Sequence, residues 1–337
     1  MSPQCCISII IPTHQRCASV LRAVQALAQQ TLSPDAYEVI VCIDGSQDAT
    51  QEVLSRFSVT YKLRVIWQPK LGRAAARNTG MRLAAGDLLI FLDDDMEPAP
   101  GFLAAHLQAH APGSQLCILG AVPISLEQSS PAVVKYIGWK FNQHLENLTQ
   151  PGYTFKLRDF YSGNFSIRRE VLLRVGAFDE TFKIYGNEDL ELFVRLSKAS
   201  VELKYCPEAL ASQYYTKDFA ELAQDTIAKG RTAVLLASKH PETYHDLKLS
   251  MYSQASRKWR IVRAGLLQFS RVWTRIPELV ILCMTWVEHH RPARFNYCCF
   301  LALDYFYWLG ARSALRGNSE AGQGLTPLAT SAGKPRS

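Results

Sequence analysis

The sequence lacks a hydrophobic run of membrane-spanning length. The apolar stretches of its C-terminal third, Leu279 to Val287 and Tyr297 to Leu309, fall short of the roughly 20 residues needed to cross a bilayer. It also lacks ordered cysteines: the nine present are odd in number, scattered, and contain no Cys-x-x-Cys pair, so neither a zinc site nor a disulfide framework is indicated. The first six residues carry no Lys or Arg, and Ile7 to Ile11 is too short for a signal-peptide core. The expectation is a reduced, cytoplasmic protein. Internal repeats are absent as well.

What is present is an ordinary globular composition, 48% hydrophobic and 20% charged, over 337 residues, more than one domain usually takes. The formal charge of +7 is concentrated. Residues 251–316 hold ten Lys/Arg against Glu278, Glu288 and Asp304, which leaves the remainder near neutral. The expected division is a catalytic domain over 1–250, a basic helical region over 251–316 and a disordered tail over 317–337.

The N-terminal half alternates short β-branched runs with helical stretches. Ile7 to Ile11, Glu38 to Ile43, Arg64 to Trp67 and Leu88 to Leu92 read as strands, separated by helices over 18–29, 48–57 and 74–84. Such alternation builds a mostly parallel sheet with helices on both faces, whose ligands lie beyond the carboxyl ends of the strands. The polar clusters Pro12 to Arg16, Asp44 to Asp48 and Asp93 to Asp95 each follow a strand directly.

Each cluster has a plain reading and a chemical one. Asp93-Asp94-Asp95 is either a solvated acidic turn or the seat of a hard cation such as Mg2+ or Mn2+, which take oxygen ligands and bridge carboxylates to phosphates. Asp44-Gly45-Ser46-Gln47-Asp48 suits helix capping by Ser46 or Asp48. Glu188-Asp189 suits the acidic first turn of a helix, and Gly163-Asn164 a simple turn.

Taken together, the motifs resemble the inverting glycosyltransferases of family two, which have the GT-A fold: a nucleotide-binding, Rossmann-like mixed sheet flanked by helices, here with a C-terminal helical appendage. The pieces are Ile9 to Arg16, Glu38 to Thr50, Gly72 to Asn78, Gly86 to Asp95, Gly163 to Arg169, Val175 to Glu180 and Asn187 to Leu190, in the family's order and within residues 7–235. The resemblance implies transfer of a sugar from a nucleotide diphosphate donor, a UDP-sugar by preference, to a hydroxyl of a saccharide or lipid-linked acceptor. Pro12, Thr13, His14 and Arg16 would line the nucleotide pocket, and Asp44 would accept the imino hydrogen of uracil. Arg77 would lie near the diphosphate with Asp94 beside it. Asp93 would face the ribose or metal, and Asp95 would bind the metal. Gly163, Asn164 and Glu188 would form the loop around the transferred sugar and acceptor, and Asp189 would be the catalytic base. His14 stands where the family usually has an aromatic, and Gln213 where it often has a histidine near the metal. A transferase loading sugar onto a polyprenyl phosphate and a non-catalytic scaffold remain as rivals.

Over residues 257–276, Trp259, Val262, Leu266, Phe269, Trp273 and Ile276 recur at steps of three and four, with Arg257, Arg260, Arg263, Arg271 and Arg275 opposite. Such a basic amphipathic helix suits the headgroup layer of the inner face of the cell membrane, with a packed bundle or dimer interface as alternatives. Its aromatics lie on one stripe and not among the cations, which argues against nucleic acid.

Overall fold

A computed structural model describes residues 6–320 except 112 and 113, with side chains described up to 316. The first half is β1 (Ile7–Thr13), α1 (Cys17–Leu27), β2 (Tyr37–Asp44), α2 (Thr50–Arg56), β3 (Lys62–Gln68), α3 (Arg73–Leu83) and β4 (Leu88–Leu92). There follow β5 (Met96–Pro98), α4 (Phe102–Ala109), β6 (Leu116–Gly120), α5 (Ala132–Leu148), β7 (Asn164–Arg168), α6 (Arg169–Arg174), α7 (Glu188–Lys198), β8 (Glu202–Cys206) and β9 (Ala211–Gln213). Four helices end the chain: α8 (Phe219–Lys239), α9 (Arg257–Val272), α10 (Ile276–His290) and α11 (Phe295–Glu320).

Seven strands form one sheet in the order β3-β2-β1-β4-β7-β6-β8. The β1, β2, β3 and β4 pairings are parallel, and β7 runs antiparallel to both β4 and β6. Every residue of β1, β2 and β4 is buried, as continuous Ile/Val/Leu runs require when helices cover both faces. The chain leaves β1 toward β2 on one side and lies beside β4 on the other, so a crevice opens at their carboxyl ends. Ile10 pairs with Phe91, and three residues further along each strand Thr13 meets Asp94, its hydroxyl donating to Oδ2 at 2.7 Å. The antiparallel β4/β7 pairing delivers a loop from far along the chain: Gly163 accepts from the Asp93 amide at 2.9 Å.

A second core joins α8 to the C-terminal helices and to part of α5. Helices α8 and α11 touch backbone to backbone. A Cβ on Gly230 would lie 2.0 Å from the Tyr307 carbonyl oxygen, and one on Gly310 would lie 1.9 Å from that of Ile227. The 257–276 helix expected from the sequence is two helices, because α9 ends at Val272 and Ile276-Pro277 opens α10, a position proline favours. Arg263, expected on its cationic face, is buried instead. It donates to Asp304 Oδ2 at 2.6 Å and lies over the rings of Tyr252 and Trp308 at 4.2 and 5.4 Å. Trp259 Nε1 and Lys248 Nζ complete the shell of Asp304 at 2.8 and 2.9 Å. Burial works against the Asp304 carboxylate, but Lys248, Trp259 and Arg263 hold it below the usual range. Residues 317–320, expected to begin the tail, continue α11, and 321–337 lie outside the described residues.

The glycine contact gives a stability test. Gly310→Ala should cost about 1–3 kcal/mol or more in urea unfolding, as overpacking between backbones does. Gly265→Ala, with nothing within 4 Å of its added Cβ in the middle of α9, should instead gain about 0.5–1 kcal/mol.

Candidate active site

The strand ends enclose a cleft of 260 Å3 lined by Pro12, Thr13, His14, Arg16, Asp44 and the triplet Asp93 to Asp95, with Arg73, Tyr185, Gln213, Tyr215 and Lys217 on the facing side. Of the two expected capping residues, Asp48 accepts from the amide and the hydroxyl of Thr50 in a local turn ahead of α2, whose N-cap is Ala49 without a side-chain cap, and Ser46 accepts from the Gln15 amide instead. Asp44 is held by the end of β3 and the loop after it. Its Oδ1 accepts from Gln68 Nε2 at 2.9 Å and Leu71 N at 2.8 Å, and its Oδ2 accepts from Gly72 N at 2.9 Å. An ionised carboxylate offers about four lone pairs, so one, on Oδ2, is left for a donor in the cleft. Next to it, His14 Nδ1 contacts the Asp44 carbonyl oxygen at 2.7 Å and Nε2 contacts Lys70 Nζ at 3.0 Å.

The three carboxylates after β4 have three different environments. Asp93 receives Arg77 at 2.8 Å and Arg73 at 3.6 Å. Burial alone would raise it, but these two guanidiniums outweigh that and hold it below the ordinary carboxylate range. Asp94 takes the Thr13 hydroxyl and a longer contact from Arg16 at 3.3 Å. Burial, aided by repulsion from Asp95 and Asp93, pushes it up to about 6. Asp95 Oδ2 meets Arg16 and Gln213 Nε2, each at 3.2 Å, while Oδ1 is buried with no hydrogen-bond partner. A buried carboxylate oxygen without a donor is costly unless a cation completes it. Among the described residues no group of three or more His, Cys, Asp or Glu side chains is drawn together as a metal site.

Two sequence expectations are displaced. Arg77 is wholly buried, tied to Asp93 and to Glu188 Oε1 at 3.2 Å, with its guanidinium over the Phe178 ring at 5.3 Å. It lies beneath the cleft, and Arg73, one turn earlier on the same face of α3, reaches the cleft in its stead. Asn164 is fully buried as well. Its amide donates to the Ala121 and Ala209 carbonyls and its Oδ1 contacts His106 Nε2 at 2.8 Å, so it braces the loop from inside. Gly163 remains at the cleft floor, where an added Cβ would lie 3.1 Å from Asp93 Oδ2.

Glu188 and Asp189 divide in the same way. Glu188 is spent on Arg77 and the Gly186 amide. Asp189 opens α7 half-exposed, accepting only from the Leu190 amide at 2.8 Å. Burial first, and the charge of Glu188 second, push it up to about 6. The preceding loop is held by Asn187, which adopts a left-handed conformation (φ 63°) and donates to Thr232 Oγ1 at 2.8 Å on α8.

Sequence reasoning missed Tyr185, Tyr215 and Lys217 as cleft residues. The Tyr185 ring gathers Arg73, Lys217 and Lys229 at 4.9, 4.9 and 5.2 Å. These residues come from loops without periodicity, and only folding brings them together.

A mixed sheet with a carboxylate triplet after its fourth strand, and an acidic pair at the head of a helix joined to it through Arg77, fits the GT-A class. Matching the sequence profile described as glycosyl transferase family 2 over residues 8–176, the chain belongs to that family, and a profile described as the N-terminal domain of galactosyltransferase matches 143–218. Its relatives include validoxylamine A glucosyltransferase of Streptomyces hygroscopicus subsp. limoneus, 31% identical over 227 residues that cover 60% of this chain and 50% of the relative. Chondroitin synthase of Escherichia coli is 25% identical, over 71% of this chain and 39% of the relative. The chain thus spans about half or less of the length of these relatives. Among solved structures, mannosyltransferase PcManGT from Pyrobaculum calidifontis, in complex with GDP-Man and Mn2+, superposes with TM-score 0.55 at 18% identity, covering 90% of this chain and 87% of that one. Staphylococcus aureus TarS 1–349 with UDP gives TM-score 0.51 at 15% identity, over 95% and 93%.

The separation of Arg77 from Arg73 is testable by unfolding. Arg77→Met strands Asp93 and Glu188 and should cost about 3 kcal/mol or more. Arg73→Ala, at a partly exposed position, should change stability by less than about 1 kcal/mol. Equal effects would show that the two arginines do not divide these roles.

Proposed function

We propose that this protein is an inverting, metal-assisted glycosyltransferase that passes a sugar from a UDP-sugar to an acceptor hydroxyl, in cell-surface polysaccharide or glycolipid synthesis. One observation carries this reading: Asp189 is the weakly bonded carboxylate of its pair, accepting only from the Leu190 amide, while its neighbour Glu188 is tied through Arg77 to the cleft carboxylate Asp93. In family relatives such as the validoxylamine glucosyltransferase the named activity is sugar transfer.

The remaining lone pair of Asp44 suits the imino hydrogen of uracil, with Pro12, Thr13 and His14 as the pocket wall. Arg16, Arg73 and Lys217 face the position of a diphosphate, where they offset the charge that grows as the anomeric bond breaks. Asp95, with its orphaned Oδ1, fits Mg2+ or Mn2+, with Gln213 beside it and Asp93 largely committed to arginine. Bound there, the cation would supply electrostatic stabilisation of the departing nucleotide diphosphate. Asp189 accepts the proton of the acceptor hydroxyl as it attacks from the opposite face of the sugar. A neighbour that leaves its carboxylate short of hydrogen bonds keeps it basic.

Asp189→Asn should retain UDP binding by calorimetry and lose transfer by about 100-fold or more, the size of a general-base contribution. A carboxyl with a raised pKa acts only once deprotonated, so kcat/KM in the parent should fall as pH drops through about 6. Asp189→Asn with normal turnover, alongside an inactive Glu188→Gln, would transfer the role to Glu188.

The C-terminal helices add a peripheral membrane reading. No helix among the described residues is long and apolar enough to cross a membrane. Yet Ile261, Phe269, Val272, Trp273, Leu282 and Trp286 project from α9 and α10, Val272 with 86% of its surface exposed. Arg257, Lys258, Arg260, Arg271 and Arg275 are exposed in the same segment, a combination suited to anionic headgroups. Flotation with phosphatidylglycerol vesicles should carry the full chain, and Phe269, Val272 and Trp273 changed together to Ser should abolish it. Trp259 is not part of that test, because its indole is bonded to Asp304. Indifference of the full chain to anionic vesicles would refute the docking.

A further inference from the structure

An acceptor has to approach Asp189 from outside the nucleotide cleft, and the loop leading to Asp189 borders a second depression. Two cavities of 370 and 250 Å3 share Ile184 and Arg231 in their walls. Gln224, Ile227, Ala228, Arg231 and Leu235 line them from α8 at steps of three and four, so they form one stripe of that helix. Leu309 and Ser313 of α11 close the first, and Phe182 and Thr232 the second. Half of the lining residues are apolar and none is acidic; the second cavity also has Lys183 at its edge, and Arg231, the cation common to both, has no ion-pair partner among the described residues.

Position ties this groove to the reaction. Ile184, apolar yet 45% exposed, is followed at once by Tyr185, which lines the cleft, and then by the Gly186-Asn187 turn that hands the chain to Asp189. Thr232, in the wall of the second cavity, is the residue that anchors Asn187. The other end leads toward the exposed apolar face. Ser270, near the end of α9, shares a hydrogen bond with the Tyr305 hydroxyl at 2.7 Å, and Tyr305 precedes Leu309 and Ser313 by one and two turns on the same face of α11. The end of α9, which carries the exposed Phe269, Val272 and Trp273, therefore meets the helix that closes the groove.

We propose that this groove seats the apolar chain of a membrane-borne acceptor whose phosphate pairs with Arg231, so that the acceptor hydroxyl is presented to Asp189. The proposal rests on the transferase reading above and names its acceptor class. A chain held along α8 is confined before reaction, which supplies the proximity that a positioned hydroxyl needs, and the cation fixes how far it can slide.

Decyl phosphate below its micellar concentration is the probe, titrated by calorimetry into the full chain carrying Phe269→Ser and Trp273→Ser, so that the exposed face does not absorb it. Inorganic phosphate and decyl maltoside serve as comparators, and UDP is titrated in parallel. Decyl phosphate should bind at least about tenfold more tightly than either comparator, and Ile184→Asn and Arg231→Gln should each weaken it by about tenfold, the scale of one apolar side chain or one charge-assisted contact. Both positions are solvent-exposed, and unchanged UDP affinity reports an intact fold. Decyl phosphate binding that neither substitution weakens, or that either comparator matches, overturns the groove while leaving the transferase reading in place. Failure of UDP to bind the parent chain overturns the reading on which the groove rests.

Discussion

A single buried guanidinium governs the geometry of the site. Arg77 has no exposed surface and holds Asp93, at the end of β4, to Glu188, at the head of α7. Burying one charge is costly unless its partners come with it, so the strand end and the helix start are obliged to meet at fixed separation. Asn78, the next residue, adds to this by exchanging hydrogen bonds with the Phe178 backbone, which places the ring against which Arg77 lies. The acidic pairs on the two sides of the cleft thereby divide into structural and available members. Asp93 and Glu188 are consumed by the clamp, and Asp95 and Asp189 are left with lone pairs that no donor fills.

Helix α8 carries a second constraint. One edge receives the loop before Asp189 through Asn187 and pairs Asp225 with Lys217 of the cleft. The opposite edge admits α11 at Gly230 and Gly310, too closely for any side chain. The C-terminal helices are thus braced against the helix that holds the loop before Asp189. The Asp304 network of Lys248, Trp259 and Arg263 fixes α9 in turn. Because its buried face contains this ionic cluster, α9 turns much of its apolar surface outward, which is why the helix is greasy on the side that faces solvent.

The sheet and the order of its first four strands were legible because buried parallel strands write uninterrupted β-branched runs, and each ends in a polar cluster. The acidic triplet was legible for the same reason. What the sequence could not show is which carboxylate of a set is free, since that depends on partners such as Arg77 and Thr13 that arrive from other elements. Arg77 and Asn164 were misplaced for this cause: a motif fixes the residue, but a polar side chain can satisfy itself inward as readily as toward a ligand. Arg263 followed the same rule, because a helical wheel assigns arginine to water and has no means to foresee Asp304 some forty residues on. Lys217 and Tyr185 lie in aperiodic loops and left no signal at all.

Charge balance gives a reason for the cation and the nucleotide of the proposed reaction to bind together. Arg16, Arg73 and Lys217 stand against Asp93, Asp94 and Asp95, so the side chains lining the turn are close to neutral as a set. A diphosphate alone would add two negative charges to a cleft already lined by four carboxylates, Asp44 included, and a divalent cation alone would compete with Arg16 for Asp95. Arriving together they would cancel, and Arg16 would be free to turn from the carboxylates toward the phosphates. The raised Asp94 works in the same direction, since burial and its two acidic neighbours already disfavour its charge when no cation is near. The proposed reaction would therefore bring the cleft a neutral pair of ligands, and the Arg77 clamp, which holds Glu188 beside Asp93, would leave the adjacent Asp189 outside that exchange.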